Sequence, residues 1–234
     1  MLELKDLYVG YYRDLNILQN VTLTAHAGKI TTILGANGVG KSTTLKAIYG
    51  FLKPNDGQIL LDGQSILGVP TYERIDRGLA YIPQQPGIFR WMSVEENLEV
   101  GAWTFKRDRR RIRRKIEENY NRFPILRDKR KQLVGELSGG QQRMIEIGRT
   151  LMTDPKVILV DEPTAGLAKL LSAEVYQMLV DLRDKDGLTI LLVDQEIRQA
   201  LKIADYVYVL ELGRNKYEGP ASDFADLEKA FWIG

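Results

Sequence analysis

Eight residues constrain this chain more than any others. Gly35-Ala36-Asn37-Gly38-Val39-Gly40-Lys41-Ser42 matches G-x-x-x-x-G-K-[ST] at every position. A short β-branched run, Lys29 to Leu34, enters it, and a helical stretch, Ser42 to Tyr49, leaves it. A glycine loop between a buried strand and a helix aims backbone N–H groups and the positive end of a helix dipole at one point, which makes a phosphate cradle. In such a cradle the backbone of Gly35 through Gly40 wraps the phosphates. Lys41 reaches the outer ones, the Ser42 hydroxyl ligates Mg²⁺, and Thr43 hydrogen-bonds an inner phosphate.

The rest of the chain supplies a fold for that loop. Leu2, Leu4, Leu7 and Val9, then Ile17, Leu18, Val21 and Leu23, partly alternate with polar residues, as antiparallel strands do. Gln58 to Leu61 reads as a further strand, closed by the Asp62-Gly63 turn. Residues 85–134 have a different texture, with Trp91, Trp103, a basic run and long helical periods, and read as an inserted helical subdomain. The α/β pattern resumes after Leu137. Val157 to Val160 and Thr189 to Val193 are nearly continuous apolar runs, typical of parallel strands covered on both faces. Tyr206 to Leu210 and Asn215 to Glu218 flank Gly213 as a late hairpin. One domain is expected over 1–234, with a nucleotide-binding core at 1–84 and 135–234.

The strand Val157 to Val160 ends in Asp161-Glu162. In P-loop NTPases an Asp placed here holds Mg²⁺, and the adjacent Glu can polarise an attacking water as a general base. A strand end with a helix-capping Asp would look the same in isolation; the phosphate loop gives the pair its chemical meaning.

Between the loop and the acidic strand lies Leu137-Ser138-Gly139-Gly140-Gln141, ahead of a helix expected over Gln142 to Met152. Ser138 and the N–H groups of Gly139 and Gly140 at a helix N-terminus suit an anionic phosphate. A phosphate loop, then L-S-G-G-Q, then Asp-Glu, in this order, resembles the nucleotide-binding subunits of ABC transporters over essentially the whole chain. The resemblance implies an α/β fold with a P-loop NTPase core, an antiparallel β subdomain and an inserted helical subdomain. It implies ATP and Mg²⁺ as ligands. It also implies that Ser138, Gly139, Gly140 and Gln141 address ATP on a second subunit, so that two copies, or two related subunits, complete two composite sites. Tyr12 lies where the family stacks an aromatic on adenine, with Tyr11 as the alternative. Gln84, in Tyr81-Ile82-Pro83-Gln84, resembles the family glutamine that contacts Mg²⁺, with Gln85 beside it. Ile88 to Met92 would face a membrane partner, or else pack inside the helical subdomain.

Two positions depart from the common pattern. Gln195, in Leu191-Leu192-Val193-Asp194-Gln195, stands where many relatives carry a His toward the γ-phosphate. An amide can donate to a phosphate oxygen but cannot carry the proton, which shifts weight onto Glu162 as the base. Ala168 stands where many relatives place an Asp toward the other subunit. Both departures, with Gly35-Ala36-Asn37-Gly38, look like the ATPase subunits of branched-chain amino acid importers. The catalytic set expected is Glu162, Gln195 and Lys41, and the metal set is Ser42, Gln84 and Asp161. A urea or amide importer, a lipopolysaccharide-type exporter, a soluble ribosome- or DNA-acting relative and a non-hydrolysing regulatory subunit are the rival readings. Ribosome-acting relatives usually carry two cassettes and DNA-repair relatives a long coiled coil, and neither is seen; intact Lys41 and Glu162 speak against a silent subunit.

Lys106 to Lys115 is the densest charge in the chain; such a run could meet nucleic acid or anionic lipid head groups, and with Glu117 and Glu118 the plainer reading is a solvated helix face. A net charge of +2 does not suit a dedicated nucleic-acid binder, so no nucleic-acid partner is expected. The absence of Cys removes disulfides and thiolate metal sites. No apolar stretch is long enough to span a bilayer, and Met1 to Asp6 lack a signal pattern. The expectation is a peripheral subunit at the cytoplasmic face of the cell membrane, held by transmembrane permease subunits, with a substrate-binding protein where the system has one.

Overall fold

Three strands set the architecture because every residue in them is buried. In the computed structural model, which describes residues 1–11 and 15–224, these are Ile30–Leu34, Val157–Asp161 and Thr189–Val193. In chain order the elements are β1 (Leu2–Val9), β2 (Leu18–Ala25), β3 (Ile30–Leu34), α1 (Lys41–Tyr49), β4 (Asp56–Leu61) and β5 (Gln64–Ser65). Then come α2 (Thr71–Asp76), β6 (Leu79–Ile82), α3 (Val94–Gly101), α4 (Arg109–Arg122), α5 (Pro124–Asp128) and α6 (Gly139–Leu151). The chain continues through β7 (Val157–Asp161), α7 (Lys169–Asp186), β8 (Thr189–Val193), α8 (Ile197–Ile203), β9 (Tyr206–Glu211) and β10 (Arg214–Pro220).

The larger sheet has the order β10-β9-β3-β8-β7-β6. Its strands β9, β3, β8, β7 and β6 are parallel, and β10 closes the edge antiparallel to β9. A smaller antiparallel sheet, β2-β1-β4-β5, packs over one face. Side chains of the central strands alternate between two apolar clusters. Ile30, Ile158, Val160, Ile190 and Leu192 join the helices α3, α4, α6 and α7. Ile33, Leu159, Leu191 and Val193 join α1 and the smaller sheet. Burial on both faces is what the continuous apolar runs require.

The helical stretch is locked by caps and by charge. Ser93 and Glu96 form a capping box at the start of α3, and Asp108 caps α4. Within the basic run, Arg111 pairs with Asp154 at 3.1 Å and stacks over Phe105, and Lys115 pairs with Asp154 and Glu118. Arg122 makes a fork of two 2.6 Å bonds to Asp186 on α7. Ile112, Ile116 and Tyr120 are the buried stripe of α4.

The start of α6 differs from the sequence reading. Gly139, Gly140 and Gln141 do not precede α6 but form its first turn. Ser138 accepts a 3.3 Å bond from the Gln141 N–H, and the Gln141 side chain takes the Ser138 N–H in return. That reciprocal cap overrides the poor helix propensity of two glycines. Gly140 also fits tightly: a Cβ there would stand 3.0 Å from Leu171 of α7.

Candidate nucleotide site

The carboxyl ends of β3, β6, β7 and β8 all lie on one edge of the parallel sheet, and each releases a residue of interest: Gly35, Gln84, Glu162 and Asp194. This edge is where open α/β sheets bind ligands. The phosphate loop turns there on backbone that side chains resist. Gly40, the N-cap of α1, has φ 105°, and a Cβ would meet Leu18 Cδ2 at 2.4 Å. Gly35 has φ 150°, and its Cβ would meet the Leu210 carbonyl oxygen at 2.4 Å. Lys41 is 4% exposed and donates to the Gly35 and Ala36 carbonyls at 2.9 and 3.1 Å. Burial lowers the Lys41 pKa, while Glu162, Asp161 and Asp194 oppose that shift.

The carboxylates are tied to their neighbours by short bonds. Asp161 accepts from the Ser42 hydroxyl at 2.8 Å and from the Tyr81 hydroxyl at 3.0 Å. Glu162 adopts φ 42°, a strained value for a non-glycine residue, while its N–H donates to the Val193 carbonyl at 2.8 Å. One oxygen of its carboxylate, Oε2, receives both glutamine amides, Gln84 at 2.7 Å and Gln195 at 2.6 Å. Gln195 in turn accepts from the Asn37 amide at 3.4 Å. Burial raises the Glu162 pKa. Asp161 and Asp194 push it the same way, and Lys41 and the Gln195 amide push it back. Asp194 is buried, accepts from the Tyr176 hydroxyl at 2.9 Å, and its pKa is raised by burial. Its hydrogen bonds fix the turn that carries Gln195: Asp194 also takes the Glu196 N–H at 3.0 Å.

A cleft of about 410 Å³ gathers most of the expected residues. It is lined by Asn37, Gly38, Gly40, Lys41, Ser42, Thr43, Gln84, Glu162 and Gln195, together with Tyr11, Ile17 and Lys46. Gly35, Ala36 and Val39 belong to the same loop. Tyr12 lies outside the described residues, and Tyr11 is the tyrosine on the cleft wall. Ser138, Gly139, Gly140 and Gln141 do not line this cleft. Glu162 and Gln195 also border a second, larger hollow of about 760 Å³ with Thr164, Leu167 and Asp194. Lys46 was not anticipated, although it stands one helical turn beyond Ser42 and could have been read from that spacing. Tyr81 and Asp194 were not anticipated either: Tyr81 reaches Asp161 across two strands far apart in sequence, and Asp194 is held by Tyr176 of the helix α7.

The donor set suits Mg²⁺. A hydroxyl, a carboxylate and an amide oxygen are hard ligands, and Ser42 Oγ and Asp161 Oδ1 are already 2.8 Å apart. Among the described residues no group of three or more His, Cys, Asp or Glu could hold a metal alone. Mg²⁺ characteristically completes its shell with phosphate oxygens and water, so so sparse a protein set fits it.

Known proteins resemble this chain over most of its length. The family model described as ABC transporter matches residues 18–165. The probable branched-chain amino acid transport ATP-binding protein LivF of Archaeoglobus fulgidus is 37% identical over 218 residues, covering 93% of this chain and 92% of its own length. The lipopolysaccharide export system ATP-binding protein LptB of Haemophilus influenzae is 34% identical over 207 residues, 87% of this chain and 84% of its own. A solved dimeric ATP-binding cassette in a post-hydrolysis state, bound to ADP and Pi, superposes with a TM-score of 0.81 at 26% identity, over 94% of this chain and 99% of its own. This chain belongs to the ABC transporter family, as one of the subunits that hydrolyse ATP.

Proposed function

We propose that two nucleotide-binding subunits of this kind close face to face on ATP and drive a transmembrane permease, most directly one that imports branched-chain or other hydrophobic amino acids. The observation that carries the reading is the meeting of Gln84 and Gln195 on one oxygen of Glu162, at the wall of the cleft that Lys41 enters. In this reading the backbone of Gly35 to Gly40 cradles the phosphates and Tyr12, or Tyr11 from the cleft wall, stacks on adenine. Lys41 leaves the loop carbonyls for the outer phosphates, and Thr43 hydrogen-bonds an inner one. Ser42, Asp161 and Gln84 would hold Mg²⁺, which neutralises developing phosphate charge when bound. Glu162 is the general base: burial raises its pKa toward the operating range, where a base is effective. Gln195 orients it and donates to phosphate.

The signature, Leu137 to Gln141, does not line its own chain's cleft. Gly139 and Gly140 sit in the first turn of α6, where N–H groups have no intrahelical partner. A second subunit, identical or related, brings Ser138, Gly139, Gly140 and Gln141 to this nucleotide, and Gln141 holds the turn through its cap. The likeness to a dimeric cassette supports that assembly. The helical segment 85–134 moves as a unit in this cycle, relative to the core at 1–84 and 135–234.

Among the described residues no helix is long and apolar enough to cross a membrane. We place the subunit at the cytoplasmic face of the cell membrane, held by permease subunits, with a substrate-binding protein where the system has one. A groove of about 310 Å³ lined by Tyr49, Tyr81, Phe89 and Trp103, with Trp91 90% exposed beside it in sequence, is the face offered to the permease. The similarity to an export ATP-binding protein keeps a lipopolysaccharide-type exporter as the second reading.

The test is co-purification. The tagged Glu162→Gln variant is recovered from native membranes with ATP and Mg²⁺, and its partners are identified by mass spectrometry. A pair of amino acid permease subunits is expected. Lipopolysaccharide export components would replace the cargo assignment, and ribosomal or DNA-repair proteins without a membrane protein would overturn the transport reading.

A further inference from the structure

Gln84 sits on a segment that cannot hold itself. Among the described residues, the main chain of 84–88 makes no main-chain hydrogen bond. Two side chains of α6 fasten it at Gln84 and Gly87. Arg143, 2% exposed, donates to the Pro83 carbonyl at 3.0 Å and to the Gln84 carbonyl at 2.9 Å. Glu146, 1% exposed, accepts the Gly87 N–H at 2.7 Å and is bound to Arg143 in turn. The planar guanidinium fits this task, because its fork reaches two carbonyls and a carboxylate at once. A buried ion pair is poor evidence for stability, since desolvation offsets much of its attraction. Its placement is more informative. Arg143 stands one turn after Gly139 on the helix that Ser138 caps, so the pair fastens the Gln84 backbone to the signature helix, while the Gln84 amide reaches across to Glu162.

We infer that Arg143 and Glu146 are positioning residues that couple the signature end of α6 to Gln84, so that engagement of Ser138 with the partner subunit's nucleotide moves the Gln84 amide relative to Glu162. The coupling rests on the roles proposed above for Ser138 and Gln84. It makes each subunit's own cleft sensitive to the cleft opposite. The two sites then fire as a pair through a rigid link rather than through the sheet.

A double-mutant cycle on kcat tests it, with the full chain. Gln84→Ala, Ser138→Ala and their combination are compared in the parent and in an Arg143→Lys background. Lysine keeps a buried charge beside Glu146 but cannot fork onto both carbonyls. In the parent, each single change is expected to lower kcat about tenfold or more, and the combination to be no worse than the poorer single within about twofold. In the Arg143→Lys background the two losses multiply, while the KM for ATP stays within about threefold of the parent. Losses that multiply in the parent, or non-additivity that survives Arg143→Lys, would overturn the coupling. Single variants that both retain the parent kcat would instead overturn the roles given to Ser138 and Gln84. Should Arg143→Lys lose its cooperative melt, Arg143→Met with Glu146→Leu removes the link without leaving a buried charge.

Discussion

Replacing Gln195 by Ala removes one of two amides from a single carboxylate oxygen, and the structure gives the size of the effect. The bond is 2.6 Å long, its acceptor is ionised when the base is active, and hydrogen bonds of that type contribute about 1.5–3 kcal/mol. The lower end applies, because Gln84 still donates to the same oxygen and the cleft admits water in place of the lost amide. About 1.5 kcal/mol, expressed wholly in the transition state, lowers kcat roughly tenfold. Glu162→Gln removes the base itself, which typically carries 10²- to 10⁴-fold, so the two variants should differ by about tenfold or more. The pH dependence has a definite sign. The Gln195 amide opposes the upward shift of Glu162, so its loss raises that pKa further. A base must be deprotonated to act, and the acidic limb of the kcat profile should therefore move to higher pH. Steady-state ATPase assays across pH read both quantities. A Gln195→Ala loss equal to that of Glu162→Gln, or an acidic limb displaced to lower pH, would refute the reasoning.

Other expectations follow from the same geometry. Lys41→Ala should weaken ATP binding roughly tenfold to a hundredfold, as the loss of a charged hydrogen-bond partner implies, measured by calorimetry with the Glu162→Gln background to prevent turnover. Parent affinity would remove Lys41 from the phosphate site. Gly40→Ala combines a strained φ of 105° with a 2.4 Å clash against Leu18, about 1–3 kcal/mol each, and should cost about 2–6 kcal/mol in urea unfolding. A loss below about 1 kcal/mol would mean the loop relaxes freely. Phe89→Ala with Trp91→Ala should leave the ATPase rate of the isolated subunit within about twofold but abolish permease co-purification, because these exposed rings touch no part of the nucleotide cleft. Retained co-purification would move the docking face elsewhere.

The sheet was legible because its central strands are unusual. Val157 to Val160 and Thr189 to Val193 announce burial on both faces, and the loop Gly35 to Ser42 announces its own strand and helix. The late hairpin was legible from Gly213. The start of α6 was not, since propensity argues against Gly139-Gly140 and only the Ser138–Gln141 cap and the close fit to Leu171 hold them helical. The residues of the cleft were readable as single motifs, but their wiring was not. That Tyr81 reaches Asp161 from 80 positions away, or that Gln84 and Gln195 choose the same oxygen of Glu162, depends on how β6, β7 and β8 lie side by side. Arg143 and Glu146 were hidden for the opposite reason. On a helix of mixed composition a charged i, i+3 pair reads as surface decoration, and only the segment 83–87 lying over it makes it interior.

The left-handed backbone of Glu162 bears on how such a chain can be improved. Its φ of 42° holds a conformational cost of about 1–3 kcal/mol at the residue proposed as the base. A screen that rewards thermal robustness alone would favour substitutions here that accept left-handed torsions, such as Asn or Gly, and each would discard the carboxylate. Stability and turnover therefore compete at this one position, and a thermostable descendant of this chain has to find its gains elsewhere.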